Sequence, residues 1–64
     1  MKKQETSNDR LCTMTQTAKM LNVSVDTVRR LISERELHAV RIYDMPRIEY
    51  SEIQRFIKSL KTYR

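Results

Sequence analysis

No glycine occurs anywhere in the 64 residues. Glycine is the residue that enters left-handed backbone without steric cost, so its absence narrows how the chain can turn. Every tight turn is expected to fall to asparagine, aspartate, serine or the single proline, Pro46, or to the chain ends. Phosphate-cradling glycine loops are excluded, as are the strained glycine positions on which many enzyme loops depend. Length sets a second limit. With 64 residues, 39% of them hydrophobic, there is room for one domain with a thin core. Such a core does not surround a buried catalytic cleft. No acid–base pair, nucleophile constellation or metal cluster stands out, so an enzyme is not expected. Cys12 is the only cysteine and His38 the only histidine, which argues against a disulfide framework and a zinc site. No metal or cofactor is expected.

Thirteen Lys and Arg stand against eight Asp and Glu, a net charge of +5. That balance favours a polyanionic partner, most simply nucleic acid. A membrane surface is the competing polyanion, but no long apolar run or signal-peptide core occurs. The expectation is therefore a soluble cytoplasmic protein with no membrane partner, on the nucleoid when DNA-bound. Residues 39–64 carry Arg41, Arg47, Arg55, Lys58, Lys61 and Arg64 against only Asp44, Glu49 and Glu52. The C-terminal half thus holds most of the steering charge.

Residues 1–10 contain no periodic apolar residue and read as a flexible arm, or alternatively as an arm reaching along a DNA groove. Residues 11–64 form the expected domain. Leu11 and Cys12 open it as apolar, buried positions. Thr13-Met14-Thr15-Gln16 fits a capping box for a helix from Met14 to Leu21, with Met14, Ala18 and Leu21 inward and Lys19 outward. Asn22 tolerates a left-handed backbone and can end that helix. Ser24 is a good N-cap for a second helix, from about Val25 to Glu34. Val25, Val28, Leu31 and Ile32 form its apolar stripe, and Asp26, Arg29, Arg30 and Ser33 lie on or beside the opposite face.

The period then changes. Val40 and Ile42 alternate with Arg41 and Tyr43, the mark of a half-buried strand. Tyr43-Asp44-Met45-Pro46 supplies a turn, and Arg47-Ile48-Glu49-Tyr50 alternates again. The result is a two-stranded wing with Arg41 and Arg47 on its polar side. Ser51-Glu52-Ile53-Gln54 fits a second capping box, and Ile53, Phe56, Ile57 and Leu60 follow at helical spacing. Arg55, Lys58, Lys61 and Arg64 project from the other face or the end of this last helix.

A short helix, a turn and a second helix with a basic free face form a helix-turn-helix pattern. The fold expected is mainly α with a small β-hairpin wing, in the order α-α-β-β-α. The chain resembles the small winged helix-turn-helix domains of the excisionase family, related to the MerR-like regulators. The resemblance rests on Thr13 to Ser24, Thr27 to Ile32, Glu36-Leu37, Val40 to Ile42, Arg47-Ile48 and Ile53 to Ile57. It implies that the second helix enters the major groove and that the wing touches backbone or minor groove. On that basis Ser24, Thr27, Arg29 and Arg30 are DNA contacts, with Val25 and Asp26 on the same helix end. Three departures matter. Asn22 stands where glycine is usual. Arg35 replaces a common glycine, so that corner is expected to be longer or more helical. The tip Asp44-Met45-Pro46 lacks basic residues, which shifts the wing contacts to Arg41, Tyr43 and Arg47.

Physical chemistry supports these roles independently. A helix N-terminus offers free amide hydrogens to a phosphate near Ser24. An arginine fork can bond guanine O6 and N7 together, which makes Arg29 or Arg30 the candidate base reader. Asp26 either accepts from a cytosine amine or simply stabilises the helix start. The expected partner is double-stranded DNA. Three roles fit: an excisionase-like recombination directionality factor acting with a tyrosine- or serine-type integrase, a small transcriptional regulator, or a protein-interaction module using its basic face. MerR-like regulators usually carry a long coiled coil after the winged domain. None precedes Arg64, which puts the excisionase role first. Because the Ile53 to Leu60 stripe is assigned to the core, a free monomer is expected. Self-association would then depend on DNA, with copies side by side on direct repeats and the DNA bent.

Overall fold

The capping box at the first helix forms as its spacing predicts. Thr13 Oγ1 accepts the Gln16 amide hydrogen at 3.0 Å, and Gln16 Oε1 accepts that of Thr13 at 2.9 Å. The computed structural model describes residues 10–63. The expected arm, residues 1–9, and Arg64 lie outside the described residues. The elements are β1 (Leu11–Cys12), α1 (Met14–Leu21), α2 (Val25–Ser33), β2 (Val40–Ile42), β3 (Met45–Glu49) and α3 (Tyr50–Ser59). The winged helix-turn-helix order is present, with one strand added in front.

Both helices of the first pair are followed by left-handed residues that turn the next amides back onto the orphan carbonyls of the last turn. Asn22 has φ 60 and ψ 44. Val23 then donates to the Ala18 carbonyl at 2.9 Å and Asn22 to that of Lys19 at 3.2 Å. At α2 the same device uses Arg35, with φ 64. Glu36 donates to the Leu31 carbonyl at 2.9 Å and Arg35 to that of Ile32 at 3.0 Å, the paired bonds of a Schellman motif. The expected longer or more helical corner is therefore absent. Arg35 takes glycine's conformation, and Leu37, two residues on, is fully buried. Tyr43 is the third such residue, with φ 55. The absence of glycine thus does not confine left-handed backbone to asparagine and aspartate. The paired amide bonds beside buried Leu37 impose it on an arginine, and the two-residue turn closed by Ile42 and Met45 imposes it on a tyrosine.

The sheet has three strands in the order β1-β3-β2, all antiparallel, not the two expected. Leu11 pairs with Glu49 and Cys12 with Ile48. Cys12 is buried as expected, whereas Leu11 is exposed on the outer side. The hairpin is also tighter than expected. Ile42 pairs with Met45 across a turn of Tyr43 and Asp44 alone, so Met45 and Pro46 belong to β3. Pro46 lies beyond the positions that pair with β1, so its missing amide hydrogen leaves no β1 carbonyl unpaired.

This register fixes the faces. Cross-strand partners share a side of the sheet, and Ile48 is fully buried. Arg41 and Pro46 therefore lie on the Ile48 side, while Val40, Ile42, Met45 and Arg47 lie on the other. The expected inward pair Val40 and Ile42 is exposed on the outer face. Arg41 and Arg47, expected together on a polar side, lie on opposite faces.

The core is Cys12, Ala18, Val28, Leu37, Ile48, Ile53 and Phe56, with Thr17 beside them. The Thr17 hydroxyl is satisfied by the Thr13 carbonyl at 2.8 Å. The expected N-cap at Ser51 does not form. β3 runs directly into α3, Glu49 occupies the cap position, and the Tyr50 amide hydrogen goes to the Arg10 carbonyl at 2.8 Å. The α3 stripe also stops early. Ile53 and Phe56 are buried, but Ile57 and Leu60 are 40% and 56% exposed. Leu60 has left the helix, with an extended backbone. The core therefore does not use the whole stripe.

Candidate nucleic-acid interface

The second helix is fixed from its inner side. Val28 is fully buried, and Val25, Leu31 and Ile32 are half-buried against the core. Its first turn is ordered by Ser24, whose Oγ accepts the Thr27 amide hydrogen at 3.1 Å and lies 3.0 Å from Thr27 Oγ1. Val25 thus serves packing, and Thr27 is half-buried with its hydroxyl tied to Ser24. The exposed candidates along this helix are Ser24 at its cap, then Asp26, Arg29 and Arg30.

Two of these are already paired. Arg29 Nη1 donates to Asp26 Oδ1 at 2.9 Å, with both side chains mostly solvated. An exposed pair of this kind contributes only about 0.2–1 kcal/mol, so a stronger acceptor can replace it. Among the described residues Arg30 has no side-chain hydrogen bond or ion pair, and it projects from the last turn of α2.

On the hairpin, Tyr43 occupies the tip and is 89% exposed. Arg41 is exposed on the Ile48 side. Arg47 is half-buried on the outer side, its Nη1 donating to the Pro46 carbonyl at 2.7 Å and its Nη2 3.9 Å from Met45 Sδ. The structure therefore spaces Asp26, Arg29 and Arg30 along the exposed face of α2, with Ser24 at its N-terminal cap. The hairpin candidates are split among two faces and a tip.

A second cluster was missed by sequence reasoning, which left Arg55 as free surface charge. Glu52 Oε1 accepts from Arg55 Nε at 3.0 Å and Oε2 from Arg55 Nη2 at 2.7 Å. The same Oε2 accepts the His38 amide hydrogen at 3.0 Å and lies 3.2 Å from His38 Nδ1. Arg55 Nη2 reaches on to the Glu36 carbonyl at 3.1 Å. The carboxyl is held down from 4.5 to about 2, chiefly by the Arg55 hydrogen bonds, against the opposing effect of burial and with help from the His38 amide. Arg55 is correspondingly raised by Glu52. The i, i+3 spacing of Glu52 and Arg55 was the available signal. This clasp ties the connector after α2 to α3, and so sets the second helix relative to the hairpin.

Arg10 is likewise held. Its guanidinium lies 5.1 Å from the centre of the Tyr50 ring, and its carbonyl caps the start of α3. Among the described residues no group of three or more His, Cys, Asp or Glu could hold a metal ion, and no helix is long and apolar enough to cross a membrane.

Comparison with known proteins finds no match among curated proteins and none among solved structures. A family profile does match. It describes a helix-turn-helix domain and covers residues 11–61, from the first strand to just past the last helix. With most of its length matched and α1, turn and α2 built as that motif requires, the chain belongs to the helix-turn-helix domain family, a family of DNA-binding domains.

Proposed function

We propose that the chain binds duplex DNA sequence-specifically by laying α2 in the major groove. The observation that carries this is the outward face of that helix, where Asp26, Arg29 and Arg30 are exposed beyond the Ser24 cap while Val28 locks the opposite face into the core. Arg30 is the first base reader, because its guanidinium has no partner among the described residues. Arg29 is the second. Asp26 holds one of its amino groups, which orients the fork toward guanine O6 and N7. Ser24 and Thr27 meet a phosphate at the helix start. Arg41 and Tyr43 reach backbone beside the groove, and Arg47 adds charge from the outer face.

The role we assign is that of an excisionase-like accessory factor. Several copies bind side by side, bend the DNA and assist a tyrosine- or serine-type integrase in excising a mobile element. The resemblance in element order supports this. So does the outer sheet face, where Leu11, Val40, Ile42 and Met45 are exposed and offer neighbouring copies an apolar contact. One such module buries only about 600–1,000 Å² of protein surface on DNA, too little for high specificity alone. Bending costs on the order of 1–6 kcal/mol, which several copies can share.

The test selects binding sites from randomised duplex, then combines footprinting, a gel bending assay and sedimentation without DNA. Expected are a free monomer, cooperative protection of direct repeats, and a bend. A stable free dimer that protects one palindrome without bending would replace this role with that of a transcriptional regulator. No binding even at low salt would favour a protein-interaction module.

A further inference from the structure

An open cleft of about 280 Å³ lies between β1 and α1, lined by Arg10, Cys12, Gln16, Lys19 and Met20. Its polar lining consists of donors. Gln16 Oε1 is taken by the Thr13 amide hydrogen, so its side-chain amino group is what remains to offer. The Arg10 guanidinium is steadied against the Tyr50 ring, and its edge N–H groups have no hydrogen-bond partner among the described residues. Lys19 supplies an ammonium and is exposed, with no side-chain partner among the described residues. Among the described residues no carboxylate lines the cleft. Buried Cys12 and half-buried Met20 contribute its apolar part.

Two cations and an amide donor around a shallow apolar surface suit a phosphate. Position selects which phosphate. Lys19 sits in the last turn of α1, and its carbonyl accepts the Asn22 amide hydrogen at 3.2 Å. Val23 is bonded back to Ala18, so Ser24 and the start of α2 follow directly on the Lys19 end of the cleft. In helix-turn-helix complexes the first helix crosses the DNA backbone while the second enters the groove. We propose that this cleft is a backbone-phosphate site, in which Arg10, Gln16 and Lys19 grip the strand flanking the groove that α2 occupies. The proposal rests on the DNA-binding reading above and adds a contact from the β1–α1 side that the helix-turn-helix pattern does not assign.

The experiment measures affinity for a selected and a random duplex over a range of salt, for the full chain and for Arg10→Gln, Lys19→Gln, the double variant and Lys58→Gln. Lys58 lies on the exposed part of α3 and does not line the cleft, so it serves as control. Each lost phosphate contact lowers the slope of log K against log salt by about 0.9. Each single variant is expected to lose about that much, equally on both duplexes, and the double variant about twice as much. Lys58→Gln should leave the slope in place. Arg10→Gln also removes the contact with Tyr50, but Lys19→Gln breaks no bond of the fold and carries the test alone. If wild type shows a salt-dependent affinity and Lys19→Gln keeps its slope, the cleft proposal is overturned while the DNA-binding reading stands. If wild type binds no duplex at low salt, both fall. As a second readout, the Gln16 side-chain amide resonance is followed during titration with duplex or with inorganic phosphate. Movement with duplex supports the site. Movement with inorganic phosphate alone marks a general anion site and overturns the assignment to DNA.

Discussion

Replacing Glu52 with glutamine tests the clasp that joins the connector to α3. Glu52 is 13% exposed and its two oxygens accept from Arg55 Nε, Arg55 Nη2 and the His38 amide. The amide side chain keeps the shape but removes the charge and one acceptor. Its folded carboxyl titrates near 2, below the unfolded value of 4.5. A depressed carboxylate contributes stability that is complete above the unfolded value and is lost as pH falls toward the folded one. The window is therefore from about 4.5 down to 2. At about 1.4 kcal/mol for each tenfold change, the upper bound is roughly 3 kcal/mol. Arg55 is half exposed, so solvent screening reduces this to about 1–2 kcal/mol. In a domain of this size 1 kcal/mol moves the melting temperature by about 4–8 °C, so Glu52→Gln should melt roughly 5–15 °C lower near neutrality. The two proteins should converge as pH falls toward 2, because wild type then loses what the variant already lacks. Thermal melts followed by circular dichroism, stepped from neutrality to acid, give the comparison. Parallel curves with the same acid slope would refute the clasp as a source of stability. DNA affinity should fall with the melting temperature, since α2 and the hairpin lose their common anchor.

Other expectations concern strain and specificity. Arg35→Gly and Tyr43→Gly each relieve a left-handed side chain, about 1–2 kcal/mol, against about 0.5–1 kcal/mol of added backbone freedom. Each should therefore raise stability by up to ~1 kcal/mol in denaturant melts, and a loss at either position would contradict the strain assignment. Arg30→Ala should cost about 1–3 kcal/mol on a selected duplex and relax preference at one base pair. Similar losses on selected and random duplex would instead make it a phosphate contact. Asp26→Asn should broaden the base preference read through Arg29 while changing stability by no more than ~1 kcal/mol; unchanged selection profiles would show that the pair does not orient the arginine. Arg41→Ala should weaken selected and random duplex alike, and a sequence-dependent loss would move that residue from backbone to base.

The helices were legible because chemistry near in sequence marks their ends. Thr13 with Gln16, Asn22, and Ser24 with Thr27 are each three residues apart or alone, and each does what its type favours. β1 was illegible for the opposite reason. Two residues show no period, and their partners, Ile48 and Glu49, lie far along the chain. The hairpin was read as strand correctly but faced wrongly. Placing Ile42 and Ile48 on one side requires a turn of odd length, whereas the turn is Tyr43-Asp44. Once Ile48 is inward, Arg41 must share its side and Ile42 must leave it. At the candidate site, helical spacing gave the exposed set on α2. It could not show that Arg29 is held by Asp26, or that Arg55 is taken up by Glu52.

The three left-handed residues bracket the parts proposed to meet DNA. Asn22 stands just before α2, Arg35 just after it, and Tyr43 at the tip of the hairpin. For non-glycine residues this conformation is costly and persists only where surrounding contacts over-determine it. Here those contacts are the paired amide bonds behind Asn22 and Arg35 and the closing pair Ile42–Met45 behind Tyr43. A glycine at these corners would relax the strain but widen the range of backbone states open to each corner. Side chains narrow that range, and a narrower range lowers the ordering cost when α2 and the hairpin engage a duplex together. Arg35→Gly should therefore separate two quantities that usually move together. It should stabilise the fold while leaving DNA affinity unchanged or lower, because the angle between α2 and the connector is less fixed. The Glu52 clasp acts on that same connector, through the His38 amide and, by way of Arg55, the Glu36 carbonyl. Combined with Glu52→Gln, the glycine variant should lose more affinity than the two changes predict separately, since each removes one of two restraints on a single hinge.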